Sequence, residues 1–224
     1  MARNKYPQET VEKILSVSMQ RFLEKGYERT TIQDITDHLG SLTKGAIYHH
    51  FKNKEAIFYA IAEREGRQVE RDMQAIRDQP GKTGLEKLRE MFLYSVSGSP
   101  QYDLNVAAPN MLDSPWLLAE SIRSHFTDVI PNYIYPVTLE GMRDGSIRTE
   151  HPKELAEVAM VLSNMWLGPM VHPTTEEEIV PRIRYCDHIF RALGVDLFTP
   201  ELEAMLERSF LEILRRRDSA SGPQ

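Results

Sequence analysis

Apolar residues recur at helical spacing along the chain, and no stretch alternates at a period of two between turn signals. Val11, Ile14, Leu15, Ser18 and Phe22 form a stripe that predicts a first helix from near Pro7 to Lys25, ended by Gly26. Ile32, Ile35 and Leu39 form a second, short stripe. Thr30 stands before it with Gln33 three residues on, the capping-box spacing, and Gly40 can take the left-handed conformation that ends it. Thr43 then caps a third helix with Ile47 and Phe51 as its core pair. Two short helices joined by a tight turn have the proportions of a helix-turn-helix.

The third helix has two unlike faces. At about 100° per residue, Ala46, Ile47, His50 and Phe51 fall on one side, and Lys44, Gly45, Tyr48 and His49 on the other. The second set suits a phosphate-lined groove. Lys44 can neutralise phosphate. Tyr48 and His49 can hydrogen-bond phosphate or stack on sugar and base, and Gly45 lets the backbone approach closely. The bland alternative is a short helix with a solvated polar face.

Downstream, Asn53 caps a long helix with Ile57, Ile61, Val69, Met73 and Ile76 on one face, stopped by Pro80-Gly81. Lys52 and Lys54 at its start, with free backbone N–H groups, can clamp a phosphate. The rest also reads as helix. Thr83 caps a segment carrying Leu85, Leu88, Phe92 and Val96, and residues 101–113 read as irregular with room for one short turn. Ser114-Pro115 opens a helix through Ile122, Phe126 and Val129 that Pro131 should kink or break. Another helix follows from Tyr133 to Asp144, stopped by Gly145. Pro152 opens a helix with Leu155, Ala159, Leu162 and Trp166. Thr175 and Glu178 make a second capping box before Ile179, Ile183, Cys186, Phe190 and Leu193. Thr199-Pro200 opens the last helix, with Leu202, Leu206, Phe210 and Ile213, and residues 218–224 read as a loose tail.

Thr43-Lys44-Gly45-Ala46-Ile47-Tyr48-His49-His50-Phe51-Lys52-Asn53-Lys54-Glu55 resembles the DNA-binding signature of the tetracycline-repressor (TetR) family. Ile14, Phe22, Gly26-Tyr27, Thr30-Thr31-Ile32 and Ile35 extend the likeness, which covers residues 8–58. The turn Gly40-Ser41-Leu42-Thr43 is one residue longer than the common family form, with Ser41 the extra residue, and Thr36 and His38 stand where small residues are usual. The resemblance implies an all-α protein in two parts: a helix-turn-helix head over 1–52, and a body over 53–224 that dimerises and binds a small effector. It implies DNA contact through Thr30, Thr31, Thr43, Lys44, Gly45, Ala46, Tyr48, His49, His50, Lys52 and Lys54. The dimer face in such proteins comes from two late helices, matched best here by 152–168 and 175–193. The implied function is a repressor released from a palindromic operator by a small molecule. The competing reading is a helical ligand-binding or interaction protein whose head no longer grips DNA.

Charge agrees with contact at one end. The 224 residues carry a net −6. Residues 1–55 hold nine Lys/Arg and seven Asp/Glu, and the remainder 18 and 26, so a mildly basic head sits on an acidic body. A single cysteine, Cys186, excludes an internal disulfide and fits a reducing cytoplasm; it reads as a core residue. Met1-Ala2-Arg3-Asn4-Lys5 lacks the apolar run of a signal peptide, and no stretch is long and apolar enough to span a membrane. Enzyme motifs are missing: there is no phosphate-binding loop, Gly-x-Ser-x-Gly elbow or His-Glu-x-x-His. Adjacent His49 and His50 point about 100° apart, poor geometry for one metal, so neither metal nor cofactor is expected. Met91, Phe92, Tyr94, Met111, Trp116, Phe126, Tyr133, Met165 and Trp166 are candidates for an adaptable apolar pocket, although any one of them could be plain core.

Overall fold

The computed structural model describes residues 7–221, and among them every regular element is helical. The helices are α1 (Pro7–Lys25), α2 (Ile32–Asp37), α3 (Lys44–His50), α4 (Lys54–Arg77), α5 (Gly84–Tyr94), α6 (Pro100–Ala107), α7 (Pro115–Ser124), α8 (Tyr135–Asp144), α9 (Pro152–Val161), α10 (Glu176–Ala192) and α11 (Pro200–Ser221). No described helix is long and apolar enough to cross a membrane. The opening segment 1–6 and residues 222–224 lie outside the described residues; the tail expected from position 218 is helical as far as Ser221.

Two large apolar cores organise the chain. In the first, Ile14, Phe22, Ile35, Leu39, Ile47 and Ile57 are fully buried where α1–α4 meet. Each such side chain contributes about 1.5–3 kcal/mol. This core does not stop at α4: Leu104, Ala107, Ala108 and Leu117, from α6 and its end and from α7, belong to it. The second core brings α5, α9, α10 and α11 together around Ile179, Ile183, Cys186, Phe190, Leu206 and Phe210. Burial pushes the Cys186 thiol up to about 12, with Asp187 adding to it, so the group is an inert core residue at neutral pH.

Between the cores, α5 crosses α8 at close range. A Cβ at Gly84 would meet the Gly141 nitrogen at 2.2 Å, so the crossing requires glycine. Beside it the Lys87 ammonium donates to both Glu140 oxygens at 2.7 and 2.8 Å, and Gly84 N–H donates to Asp144 at 2.8 Å.

Several sequence expectations change. The cap of α2 is Thr31, not Thr30, and its box partner is Asp34, not Gln33. Thr30 is buried instead, its hydroxyl turned to the Gly26 carbonyl at 2.7 Å and that of Arg21 at 3.2 Å. Residues 101–107 are not irregular but belong to α6, whereas 108–110 have no regular structure and Met111–Asp113 form one short 3-10 turn. Ser99 accepts from the Tyr102 N–H at 3.0 Å and Pro100 opens α6, the same Ser-Pro signal as Ser114-Pro115. Helix α6 is buried on two sides, Tyr102 and Val106 beside Ile213 and Leu104 and Ala107 in the first core, and that spacing masks the helical period. Pro131 neither breaks nor ends the helix: π-helical turns over His125–Ile134 join α7 to α8, and the widened turns take up the proline ring. Leu193 is 45% exposed, because the chain reverses at left-handed Gly194 and Val195 takes the inner place.

Candidate functional site

Helix α3 stands as its sequence pattern requires. The Thr43 hydroxyl accepts from the Ala46 N–H at 3.3 Å and opens the helix, and Gly40, at φ +70°, turns the chain out of α2 just before it. Ile47 and Phe51 anchor α3 in the first core, with Leu42 packed against the same core from the longer turn. Lys44, Gly45, Tyr48 and His49 are exposed together on the opposite face, while Ala46 and His50 are half-buried. Burial, and then the neighbouring His49, holds the His50 imidazole below its ordinary range. The Lys44 ammonium lies 6.0 Å from the Tyr48 ring centroid. A Cβ on Gly45 would meet nothing closer than the Thr43 hydroxyl at 3.6 Å, so the fold does not require glycine there. A convex strip with one cation, two ring tips and no side chain at its second position can enter a major groove and meet phosphate and base edges.

The remaining sequence candidates divide. Lys52 is exposed at the foot of α4, where Asn53 accepts from the Ala56 N–H at 2.8 Å. Lys54 is not a phosphate ligand here. Its ammonium donates to the Tyr27 carbonyl at 2.5 Å and the Glu28 carbonyl at 3.3 Å, and lies 4.1 Å from the Tyr27 ring centroid. Burial lowers its pKa, against the pull of Glu28 and Asp34. Lys54 therefore ties α4 to the loop between α1 and α2. Thr31 is exposed, but its hydroxyl serves the cap, and Thr30 points inward. Lys13, which sequence spacing did not single out, brings its Nζ to within 3.8 Å of where a Gly40 Cβ would stand, so it lies over the turn.

Behind this end lies a cavity of about 740 Å³ walled by α4, α5, α6, α7, the π-helical turns and α9. Five of the nine pocket candidates line it: Met91, Phe92, Tyr94, Met111 and Tyr133. Four do not. Trp116 is 53% exposed and packs its ring on Tyr59 at 4.9 Å, and Phe126 is 43% exposed. Trp166 meets Tyr185 edge-on at 6.1 Å, and Met165 lies outside the lining. Apolar character alone does not say which helical face turns inward. Polar groups also reach the cavity, His125 among them without having been singled out in sequence. The Tyr94 hydroxyl donates to Asp72 at 2.7 Å; burial first, then that bond, holds the phenol above its ordinary range. His125, in the wall, is kept below its ordinary range by burial, and its Nδ1 has no hydrogen-bond partner.

A short capped helix exposed at one end of an all-helical chain, packed behind a tight turn on a second short helix, has the form of a helix-turn-helix DNA-binding unit. Residues 14–61 match the family model described as bacterial regulatory proteins, tetR family. Over that segment the chain is similar to the DNA-binding part of this family. It is 24% identical over 196 residues to the transcriptional repressor DhaR of Mycobacterium sp. (strain GP1), covering 86% of this chain and 94% of that protein. It is 44% identical over 55 residues to the regulator YerO of Bacillus subtilis (strain 168), covering 25% of this chain and 19% of YerO. Among solved structures, the fold is similar to a TetR-family regulator (ECA1819) of Pectobacterium atrosepticum, with TM-score 0.59, 20% identity, and 85% and 97% of the two chains covered. It is also similar to SmeT in its triclosan complex, with TM-score 0.58, 23% identity, and 86% and 96% covered. At these identities the structural likenesses speak for the fold alone.

Proposed function

We propose that this transcriptional regulator is a homodimeric repressor that grips a roughly palindromic operator through α3 and releases it when a small molecule fills the cavity. The head spans 1–52 and the body 53–224, and the protein works in the cytoplasm. The observation that carries the reading is the split of α3: Ile47 and Phe51 inside, Lys44, Gly45, Tyr48 and His49 outside. Lys52 holds backbone phosphate beside it. Dimerisation is supported by apolar side chains left exposed on the two late helices, Val158 and Val161 on α9 and Tyr185 on α10. Two heads fixed by one such interface impose two half-sites. The relatives named as repressors support the sign of regulation.

The test is a gel shift of the purified protein against the DNA upstream of its own gene, with sedimentation of the same sample. A specific shift by a dimer is expected. A stable monomer at micromolar concentration, or no sequence preference, would remove the proposal and leave an α-helical ligand-binding protein.

A further inference from the structure

The walls of the cavity are apolar, but its charged side chains are nearly all carboxylates. Glu63, Glu70, Glu120 and Asp128 line it, against one cation, Arg77. Arg77 is already satisfied: it pairs in a fork with Asp78 at 2.8 and 2.9 Å and gives its remaining terminal nitrogen to the Asn132 carbonyl at 2.9 Å. Glu120 pairs with Arg123. Glu63, Glu70 and Asp128 have no ion-pair partner among the described residues. Glu63 and Glu70 lie two turns apart on α4, and Asp128 lines the same cavity from the π-helical turns, accepting from the Thr127 hydroxyl at 2.9 Å. Two of these carboxylates converge on one buried ring. The Tyr133 phenol is held above its ordinary range first by burial and then by Glu70, against the pull of Arg77, which lies 5.9 Å from its ring centroid, with Asp128 adding a smaller push. Tyr59, Tyr94 and Tyr133 add ring faces to the lining, and Met73, Met91 and Met111 add polarizable thioethers.

Three carboxylates without a counter-cation around an aromatic and thioether-lined chamber form a potential trap of one sign. Field lines concentrate where low-dielectric walls flank a charged opening. An anion would meet like charge with no free counter-cation inside. A hydrophilic cation would lose its hydration to apolar walls. An organic cation with a large apolar body gains from both features. We infer that the cavity takes a lipophilic cation, its apolar body among the methionines and aromatic rings and its charge held near Glu63, Glu70 and Asp128. This rests on the reading of the cavity as the effector site and names the chemical class of its ligand.

The experiment uses two ions of nearly the same shape and opposite charge, tetraphenylphosphonium and tetraphenylborate, titrated by calorimetry into the full-length protein. The phosphonium is expected to bind at least about tenfold more tightly, with a preference that shrinks as salt rises. Glu63→Gln, Glu70→Gln and Asp128→Asn combined should remove that preference and leave a smooth thermal unfolding transition, since all three side chains are exposed. Equal or tighter binding of the borate, binding of neither ion, or a preference surviving in the triple variant would each overturn the inference. A gel shift with and without the phosphonium separates this from the proposed function. Cation binding that leaves operator affinity unchanged keeps the ligand class and refutes release by that ligand.

Discussion

Lys54 offers the sharpest test of the DNA-facing end, because its sequence position and its place in the fold predict different behaviour. At the first position of α4, next to Lys52, it reads as a phosphate clamp. In the fold its ammonium is spent on the carbonyls of Tyr27 and Glu28 and on the Tyr27 ring. A hydrogen bond to a charged group is worth about 1.5–3 kcal/mol and a partly exposed cation–ring contact about 0.5–1 kcal/mol. The site is only half-buried and water can replace part of this, so Lys54→Ala should destabilise by about 1–2 kcal/mol. For a chain of this length that is about 2–8 °C in melting temperature. The same variant should leave the salt dependence of operator binding nearly parallel to wild type. Lys52→Ala should do the reverse, with no change in melting and a salt slope lower by about one unit. Melting by circular dichroism and gel shifts at four salt concentrations read both quantities. A Lys54→Ala protein of unchanged stability whose slope falls by about one would refute the tie and restore the clamp.

Other outcomes follow from particular contacts. Tyr48→Ala should abolish specific operator binding while sedimenting as wild type, since the ring is 50% exposed and holds no core contact; wild-type binding would mean the exposed face of α3 is not the reading face. Gly84→Ala should cost about 2–4 kcal/mol in urea unfolding, because the new methyl meets backbone atoms of Gly141 and Val137 at 2.2–2.5 Å and neither helix can yield locally; a loss under about 1 kcal/mol would show that the crossing is slack. Asp34 accepts from Lys25 and Thr31, and these bonds, Lys25 first, hold its carboxyl well below the usual range. Its contribution is therefore present above the unfolded value near pH 4 and lost as pH falls toward the folded one. Asp34→Asn should flatten the acid limb of stability below about pH 4 and leave the neutral range parallel; an unchanged acid limb would count against the bond network.

Most of the helices were legible because their punctuation is local. Thr43, Asn53, Thr83 and Thr175 cap where their spacing places them, and Gly40, Gly145 and Gly194 take the left-handed turn. The inner and outer faces of α3 follow from period alone. What was hidden depends on the other partner. Helix α6 packs on two sides, so its pattern loses the one-faced stripe that marks a surface helix. Thr30 and Thr31 are both good caps, and only the inward carbonyls of Gly26 and Arg21 decide between them. Lys54 could reach solvent or the loop, and the Tyr27 carbonyl 27 residues away settles it. The pocket was half legible: methionines and aromatic rings announce an adaptable interior, but Trp116 and Phe126 sit on outward faces that composition cannot reveal.

The way the two apolar regions meet gives the proposed release a physical route. Phe58, Leu104, Ala108 and Leu117 belong to the core that holds α1–α4 together, and the same four side chains line the cavity. The wall of the cavity is therefore the back of the α1–α4 core. Helix α4 runs about 36 Å from the foot of α3 past this wall to the α5–α8 crossing. Its Arg64 donates to Glu12 at 3.3 Å and Ser16 at 3.2 Å, so α1 must follow when α4 moves. A close-packed wall cannot yield continuously to a bulky guest; Leu104 and Leu117 must shift as units and carry Phe58 with them. Two half-sites about 34–36 Å apart on the duplex leave little tolerance for that displacement. A coupling of about 1–3 kcal/mol would change operator affinity some 5–150-fold, and the operator must weaken ligand binding by the same factor. Leu104→Ala should uncouple the two, because a cavity at the shared wall absorbs the guest without moving α4. Ligand affinity would then be equal with and without operator. Full reciprocity persisting in that variant would show that the signal travels by another path.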